Sequence, residues 1–330
     1  MTVAAEPIES VSRVDFAFSE EQRAIRQAAR EFARKEIDPI VEEIDEEQRF
    51  PAELFAHAGE LGFLGVLVPE EYGGAGLGYV EYFLVLDEIS RVDPAIGLSV
   101  AAHNSLGTNH ILKFGSEEQK RRWLPDLATG RKIGAWSLTE PDAGSDAAGT
   151  RSRAVKVDGG WLLNGSKTFT THATVGQVCV VHAVTDPDGP RHHNISAFVL
   201  EEGMEGFRAG NKENKLGSRA SDTGEVIMED CFVSDDHLLG EPGEGFIQAL
   251  TILDGGRISI AALGVGTARG AYETALAYSK ERQQFGKPIS SFQAIQFHLA
   301  DMATRVAAAA QLTLAAAAAN AMNQLLERRR

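Results

Sequence analysis

Residues 137–150 read SLTEPDAGSDAAGT, a run of hydroxyl, glycine and acidic residues between two segments that have the pattern of β-strands. A surface turn accommodates any one of these residues. Nearly all of them together are typical of a site that wraps backbone amides and hydroxyls around a flat, polar, anionic ligand. The segments on either side decide between these two interpretations.

The region around this run, from Lys132 to about Phe232, has the signal of a β domain. Its short alternating or β-branched segments are separated by the turn clusters VDGGW and DPDGP. A further polar and aromatic strand, NGSKTFTTHA, contains Phe169, Thr170 and Thr171. The pattern predicts an antiparallel sheet or barrel built from the runs GAWSL, TRSRAVKV, VCVVHAV, SAFVL and GEVIM.

The segment before the β region is predicted to be helical. SEEQ occurs twice, and each copy has the spacing of a capping box, in which a serine and a glutamine three residues later satisfy the first amides of a helix. The two boxes are Ser19 with Gln22 and Ser116 with Gln119. IGLSVAAHNSL contains so few polar residues that it predicts a buried helix.

The helical pattern returns after GEPGEG. It predicts one long helix over about 246–283 and another after Pro288, where Ser290 and Gln293 repeat the capping-box spacing. We therefore expect an α+β multidomain fold. Its predicted parts are an N-terminal all-α domain (1–131), a β domain (132–240) and an incomplete C-terminal helical bundle (241–330).

Composition limits the function classes. With 47 acidic and 32 basic residues the net charge is −15, which disfavours nucleic acid and anionic membranes as partners. Cys179 and Cys231 are too few for a disulfide framework and lack metal-ligand spacing. Residues 1–16 have neither the basic region nor the apolar run of a targeting segment, and no other segment holds about 20 apolar residues. These features predict a soluble cytoplasmic protein.

Three weaker motifs do not predict sites. GWLLNGSK (160–167) has serine before its lysine and follows a hairpin turn, so it is not a phosphate loop. GVGTARG (264–270) lies inside a predicted helix, whereas a dinucleotide fingerprint follows a strand. His192 and His193 have no third ligand nearby in sequence, so we expect no metal site.

Five motifs together resemble the acyl-CoA dehydrogenase family, in the family's order and spacing and over nearly the whole chain: SLTEPDAGSDAAG, NGSKTFTT, NKLGSRASDT, LDGGRISIA and ERQQFGKPISSFQ. The resemblance implies FAD as hydride acceptor, an acyl-CoA substrate and a trans-2-enoyl thioester product. It also implies that electrons pass to an electron-transfer flavoprotein. Two alternatives remain open: a flavin monooxygenase or acyl-CoA oxidase, and a catalytically incomplete subunit or fragment that binds FAD and acyl-CoA.

The resemblance also implies which residues contact the flavin. Thr139 would hydrogen-bond the pyrimidine edge of the ring, Thr171 would bond N5, and Phe169 stands where the family often has a tryptophan against the ring. Gly144 would let the backbone approach the cofactor, and Ser145 would also touch the acyl-CoA. The full set implied for the cofactor in this way is Trp136, Leu138, Thr139, Gly144, Ser145, Phe169, Thr170 and Thr171.

Further positions match the substrate and a neighbouring subunit. Asp254 and Arg257, three residues apart on the long helix, match an acid and an arginine that meet the CoA moiety. The loop PRHHN (190–194) is a further candidate for contact with the CoA phosphates. The motif RQQFGKPISSFQ matches residues that reach the FAD of a neighbouring subunit, and the matching positions are Arg282, Phe285 and Gln293. This match implies a homo-oligomer, either a dimer or a tetramer.

No residue of the sequence matches the catalytic base. The mechanism needs a carboxylate against the substrate α carbon, and the family has that glutamate in one of two places. One is the residue before the arginine of the long helix, here Gly256, and the other follows in a C-terminal segment near a YEG-type motif, which NQLLERRR does not reach. We therefore expect a truncated chain that forms little enoyl-CoA and self-associates. Asp254 and Glu140 are the first substitutes for the base.

Overall fold

The computed structural model describes residues 17–327, with side chains up to residue 320. The stretch 1–16, expected to lack a targeting segment, lies outside the described residues. The first described unit is helical and also contains the π-helical segments Ala33–Ile37 and His103–Thr108. Its α-helices are α1 (Glu20–Phe32), α2 (Val41–Glu46), α3 (Ala52–Glu60), α4 (Tyr79–Ser90), α5 (Pro94–Ala102), α6 (Asn109–Phe114) and α7 (Glu117–Ala128).

Both predicted capping boxes at Ser19 and Ser116 are present. The amide of Gln22 donates to Ser19 Oγ over 3.1 Å, and the amide of Gln119 donates to Ser116 Oγ over 3.2 Å. The segment IGLSVAAHNSL is helical and mostly buried, as predicted, but its last part is the π-helix His103–Thr108. π-Helical turns are frequent at functional sites, and this one lies beside the cavity described below.

The middle unit is an eight-stranded sheet in the order β6-β7-β3-β2-β4-β5-β8, with β1 beside β4. The prediction of an antiparallel sheet is wrong for two pairs, because β4 runs parallel both to β1 and, over a short contact, to β2. The long connection that a parallel pair requires is the segment containing the β2–β3 hairpin. The strands are β1 (Gly134–Ser137), β2 (Arg153–Val157), β3 (Gly160–Thr171), β4 (Val178–Val184), β5 (Ile195–Glu201), β6 (Phe207–Lys212), β7 (Thr223–Ser234) and β8 (Leu238–Leu239).

The last unit consists of the long helices α8 (Gly245–Glu281) and α9 (Gln293–Glu327), joined by a small hairpin of β9 (Gln283–Gln284) and β10 (Lys287–Pro288). The predicted cap at Ser290 is wrong. Ser290 lies in the 3-10 turn Ile289–Ser291, and α9 begins only at Gln293. The domain boundaries inferred from the sequence, after residues 131 and 240, fall between these three units and stay predictions.

Helix α8 lies close against α4, and glycines on α8 make this possible. A Cβ on Gly255 would lie 2.3 Å from Tyr79 Oη, and one on Gly270 would lie 2.1 Å from the carbonyl oxygen of Arg91. Real Cβ atoms do not approach other atoms so closely, so larger residues at either position would push the helices apart. This contact fixes the part of α8 that faces the candidate site.

A buried acidic pair on α4 adds ion pairs to this contact. Glu88 binds Arg26 over 2.7 Å and Arg30 over 2.8 Å, both on α1, while Asp87 binds Arg269 of α8 over 3.1 Å. Burial by itself raises the pKa of Glu88, but the hydrogen bonds and charges of Arg30 and Arg26 outweigh it and lower the pKa to about 2. These ion pairs connect α4 to α1 on one side and to α8 on the other.

Two helices are long and apolar enough, by length and composition alone, to cross a membrane: α8 and the 293–320 part of α9. The sequence expectation that no segment qualifies is therefore wrong as a statement about composition. Helix α8 packs against α4, α5 and α9 within the chain. Core helices of bundles pass the same compositional test, since they bury an apolar face against neighbouring helices.

Candidate active site

The end of β1 and the end of β3 are held together by hydrogen bonds. The amide of Thr168 donates to the carbonyl of Thr139 over 2.9 Å. The hydroxyls of Ser137 and Thr170 are hydrogen-bonded over 2.5 Å, and both side chains are buried. The two motifs that the family resemblance links to a flavin, 136–139 and 169–171, are therefore brought side by side.

A buried ion pair fixes the turn that follows β1. Lys167 Nζ donates to Glu140 Oε1 over 2.7 Å and to the carbonyl of Leu138 over 3.3 Å. Glu140 also accepts from the amides of Arg151 over 2.7 Å and Ser152 over 3.0 Å. Burial alone raises the pKa of Glu140, but the charge and hydrogen bond of Lys167 outweigh it and hold the pKa below its ordinary value. Glu140 is thus committed to this turn, which argues against it as a substitute base.

Phe169 has an unusual backbone conformation and a solvent-exposed aromatic ring. Its φ is +55°, in a bulge of β3 between Lys167 and Thr170, and 65% of the residue is exposed. A positive φ is costly for a residue with a bulky side chain and is concentrated at functional sites. The bulge directs the aromatic ring away from the core, where a planar ligand has access to it.

Thr171, at the end of β3, opens onto a cavity of about 560 Å³ between the helical units. Its wall is largely apolar, and Arg257 of α8 lies at its rim with a side chain that is 78% exposed. Asp254 is equally exposed, and its Oδ1 lies 3.7 Å from Arg257 Nε. The lining residues are Leu98, Ala102, Ser105, Leu106, Thr171, Leu253, Gly256, Arg257, Ile260 and Ala261.

Gly256 lines this cavity, and the structure leaves room for a side-chain carbon at this position. A Cβ at Gly256 would meet only Leu106 Cδ2, at 3.4 Å, which is an ordinary van der Waals distance. Among the described residues that line the cavity there is no carboxylate. The cavity as described therefore has a largely apolar wall and no carboxylate to act as a base.

The loop after β1 presents an exposed backbone at Gly144 and Ser145. A Cβ on Gly144 would meet nothing within 4 Å, so packing within the chain does not require a glycine there. Arg191 of the PRHHN loop donates to both carboxylate oxygens of Asp146, over 2.6 and 2.8 Å, and ties this loop to the neighbouring one. Open backbone with free amides is suited to close approach of a ligand.

The structure does not bring Arg282, Phe285 and Gln293 to this cavity. Arg282 follows the end of α8, more than about 30 Å along the helix from Arg257 at 1.5 Å per residue. Phe285, at the tip of the β9–β10 hairpin, is 91% exposed and has a φ of +54°. None of the three residues is part of the cavity lining, and most of the second half of α8 separates Arg282 from it.

Sequence reasoning missed a polar chain behind Trp136. The indole Nε1 donates to His110 Nδ1 over 2.9 Å, and His110 Nε2 lies 3.0 Å from Gln248 Oε1. His110 and Gln248 are buried, on α6 and α8. No motif spacing links residues so far apart in sequence. Among the described residues, no cluster of three or more His, Cys, Asp or Glu side chains is arranged to hold a metal ion.

Family models match most of the chain. The acyl-CoA dehydrogenase N-terminal domain matches residues 19–131, the middle domain matches 135–231 and the C-terminal domain matches 243–328. These matches fall on the first helical unit, the sheet and the two long helices.

Individual relatives give the same result. An acyl-CoA dehydrogenase of Bacillus subtilis (strain 168) is 47% identical over 299 residues, across 91% of this chain and 79% of the relative. Butyryl-CoA dehydrogenase from Megasphaera elsdenii is 40% identical, with a TM-score of 0.90 over 92% of this chain and 80% of that one. A chain from a structure described as the electron transferring flavoprotein of Acidaminococcus fermentans is 47% identical, with the same TM-score and coverage. The chain belongs to the acyl-CoA dehydrogenase family of FAD-dependent oxidoreductases.

Proposed function

We propose that the chain binds an acyl-CoA thioester in the 560 Å³ cavity and that the acyl chain is dehydrogenated there between its α and β carbons. The observation that supports this most directly is the composition of the cavity wall. An apolar lining for the acyl chain, Thr171 of the flavin motif and the cation Arg257 at the rim all belong to one cavity. Ligand sites typically combine an apolar wall with a few polar groups that fix orientation.

The residues present fit FAD. Phe169 offers the exposed face of an aromatic ring, and Thr139 and Thr171 offer half-buried hydroxyls as hydrogen-bond donors. The adjacent loop at Gly144 and Ser145 offers exposed backbone. When bound, FAD supplies the hydride acceptor. Thr139 and Thr171 would hold the ring by hydrogen bonds. Trp136 would line the pocket, while Leu138 and Thr170, both buried, would support it from behind.

A second candidate function, binding of FAD and acyl-CoA without turnover, is favoured by one observation. The described wall of the cavity holds no carboxylate. Of the two substitutes considered from the sequence, Glu140 is engaged by Lys167 and two backbone amides, and Asp254 lies outside the lining beside Arg257. Turnover therefore depends on a base that these residues do not supply.

We propose three further properties. The similarity to a chain described with an electron transferring flavoprotein suggests such a protein as electron acceptor. The exposed Phe285, and Leu312 of α9 at 74% exposed, suggest a homo-oligomer in which the hairpin of one subunit reaches the FAD of another. Composition suggests the cytoplasm.

Binding of FAD is the first test of this function. We expect the purified protein to be yellow and to release FAD rather than FMN on denaturation, which chromatography against both standards distinguishes. Butyryl-CoA is the first substrate to add, because a structurally similar protein is a butyryl-CoA dehydrogenase. Recovery of FMN, or no bound flavin after reconstitution with excess FAD, would contradict the proposal.

Replacing Arg257 with alanine is expected to weaken acyl-CoA binding by roughly 1.5–3 kcal/mol, since it removes charge-assisted hydrogen bonds to an anionic ligand. The flavin spectrum should remain nearly unchanged. Titration of the FAD-loaded proteins with butyryl-CoA measures the difference. Lys280→Ala is the matched control, because it removes an exposed cation from the same helix outside the cavity. Equal affinities in wild type and Arg257→Ala would show that Arg257 does not contact the ligand.

A further inference from the structure

A continuous chain of hydrogen bonds runs from Trp136 into the core. Trp136 Nε1 donates to His110 Nδ1, over 2.9 Å, and His110 Nε2 faces Gln248 Oε1 over 3.0 Å. Gln248 Nε2 donates to the carbonyl of Leu239 over 3.0 Å. The chain joins β1 and β8 of the sheet unit to α6 and α8 of the two helical units.

The direction of each bond in this chain is fixed by chemistry. An indole N–H can only donate, so Nδ1 of His110 must accept. The Leu239 carbonyl can only accept, so Gln248 must direct its amide nitrogen to Leu239 and its oxygen to His110. His110 is therefore the neutral tautomer with hydrogen on Nε2.

Burial supports the neutral form. His110 is 0% exposed and Gln248 is 2% exposed. Burial lowers the pKa of His110 to about 4, more than the hydrogen bond to Gln248 raises it. The ring of His182 packs against Trp136 with centroids 5.0 Å apart and against His110 at 5.4 Å. The indole is thus held both by a directed bond and by an aromatic contact.

We propose that His110 is a positioning residue for the flavin site: its Nδ1 lone pair sets the orientation of the Trp136 indole, and Gln248 sets the tautomer of His110. The inference rests on the proposed function, in which Trp136 lines the flavin pocket. Trp136 is half-buried and lies within three residues of Thr139, so the same short segment would carry both the oriented indole and the hydroxyl for the pyrimidine edge.

Two substitutions at His110 separate this role from a purely structural one. In His110→Asn the side-chain oxygen can lie near the position of Nδ1 and still accept from Trp136, while the bond to Gln248 is lost. In His110→Gln the amide nitrogen can lie near the position of Nε2 and still donate to Gln248, while the acceptor for Trp136 is lost. Each variant keeps one of the two buried hydrogen bonds of His110. If the role of His110 were purely structural, the two variants would therefore bind FAD equally well.

The measurement is the dissociation constant of FAD for each apoprotein, determined from the quenching of flavin fluorescence on binding. Urea unfolding of the same apoproteins reports stability separately. We expect His110→Asn to bind within about twofold of wild type and His110→Gln to bind roughly fivefold to tenfold more weakly, the effect of one lost buried hydrogen bond. Equal FAD affinities of the two variants, with wild type binding FAD, would overturn the inference alone. Failure of wild type to bind FAD would overturn the proposed function as well.

Trp136→Phe provides a second test should His110→Gln not fold. It keeps an aromatic ring but removes the indole N–H, so it breaks the same bond from the other side. We expect FAD to bind roughly fivefold to tenfold more weakly and His110→Asn to have no further effect in that background. Wild-type FAD affinity in Trp136→Phe would show that the indole bond does not position the site.

Discussion

Replacing Gly256 with glutamate is expected to raise the rate of enoyl-CoA formation by the FAD-loaded protein roughly 10²- to 10⁴-fold, the usual effect of a positioned general base. Abstraction of a proton from the substrate α carbon needs a carboxylate within hydrogen-bond reach. The described residues that line the cavity supply none, and Gly256 is part of that lining. The unsubstituted 330-residue protein is expected to form enoyl-CoA at a negligible rate.

The site can accept the new side chain. A Cβ at Gly256 would meet only Leu106 Cδ2, at 3.4 Å, so no backbone has to move. Gly256 lies inside α8, where glutamate has a helix propensity better than that of glycine by about half a kcal/mol or more. The neighbouring Arg257 helps to keep the carboxylate ionised, which a base requires.

Gly256→Gln is the matched control, because it has nearly the same size and polarity but cannot accept a proton. The first half-reaction is measured by mixing each protein with butyryl-CoA under anaerobic conditions and recording the loss of flavin absorbance. Equal rates for the glutamate and glutamine variants would show that the added carboxylate does not act as the base. Rapid bleaching in the unsubstituted protein would place the base elsewhere, with Asp254 the next residue to replace.

The order of the structural units could be predicted from the sequence because each depends on local patterns. The capping boxes at Ser19 and Ser116 and the change from helical to alternating periodicity at Lys132 involve neighbouring residues. The parallel pairing of β1 with β4 could not be predicted, since strand direction depends on the path of the intervening chain. Strand β6, with the sequence FRAGNK, has no alternating apolar pattern because it lies at the sheet edge with little burial.

Only part of the candidate site could be predicted from the sequence. Family motifs pointed to Thr139, Phe169, Thr171 and Arg257, and the structure groups the first three in adjacent segments and places Thr171 and Arg257 on one cavity. The chain through His110 was not predictable, because its members lie on separate elements and single histidines or glutamines give no spacing signal. Buried polar pairs of this kind are fixed by tertiary register rather than by local pattern.

The second large effect is expected at Lys167. Lys167→Met leaves the carboxylate of Glu140 buried without its cation, and loss of one partner of a buried pair costs about 3–5 kcal/mol of the free energy of unfolding. Urea unfolding at pH 7 measures it. The pKa of Glu140 lies below its ordinary value of 4.5, so this carboxylate is ionised at pH 7 and stabilises the fold above that value; the contribution declines as the pH falls through the folded-state pKa.

The double variant Glu140→Gln with Lys167→Met distinguishes the charge from the packing. A glutamine oxygen can still accept from the amides of Arg151 and Ser152, and no unpaired charge remains in the core. We therefore expect the double variant to be more stable than Lys167→Met alone, although it carries one more substitution. FAD affinity should follow the same order, because residue 140 anchors the turn next to Thr139 through the amides of Arg151 and Ser152. If Lys167→Met loses less than about 1 kcal/mol, or the double variant is the less stable of the two, the pair does not fix the turn that carries the flavin motif.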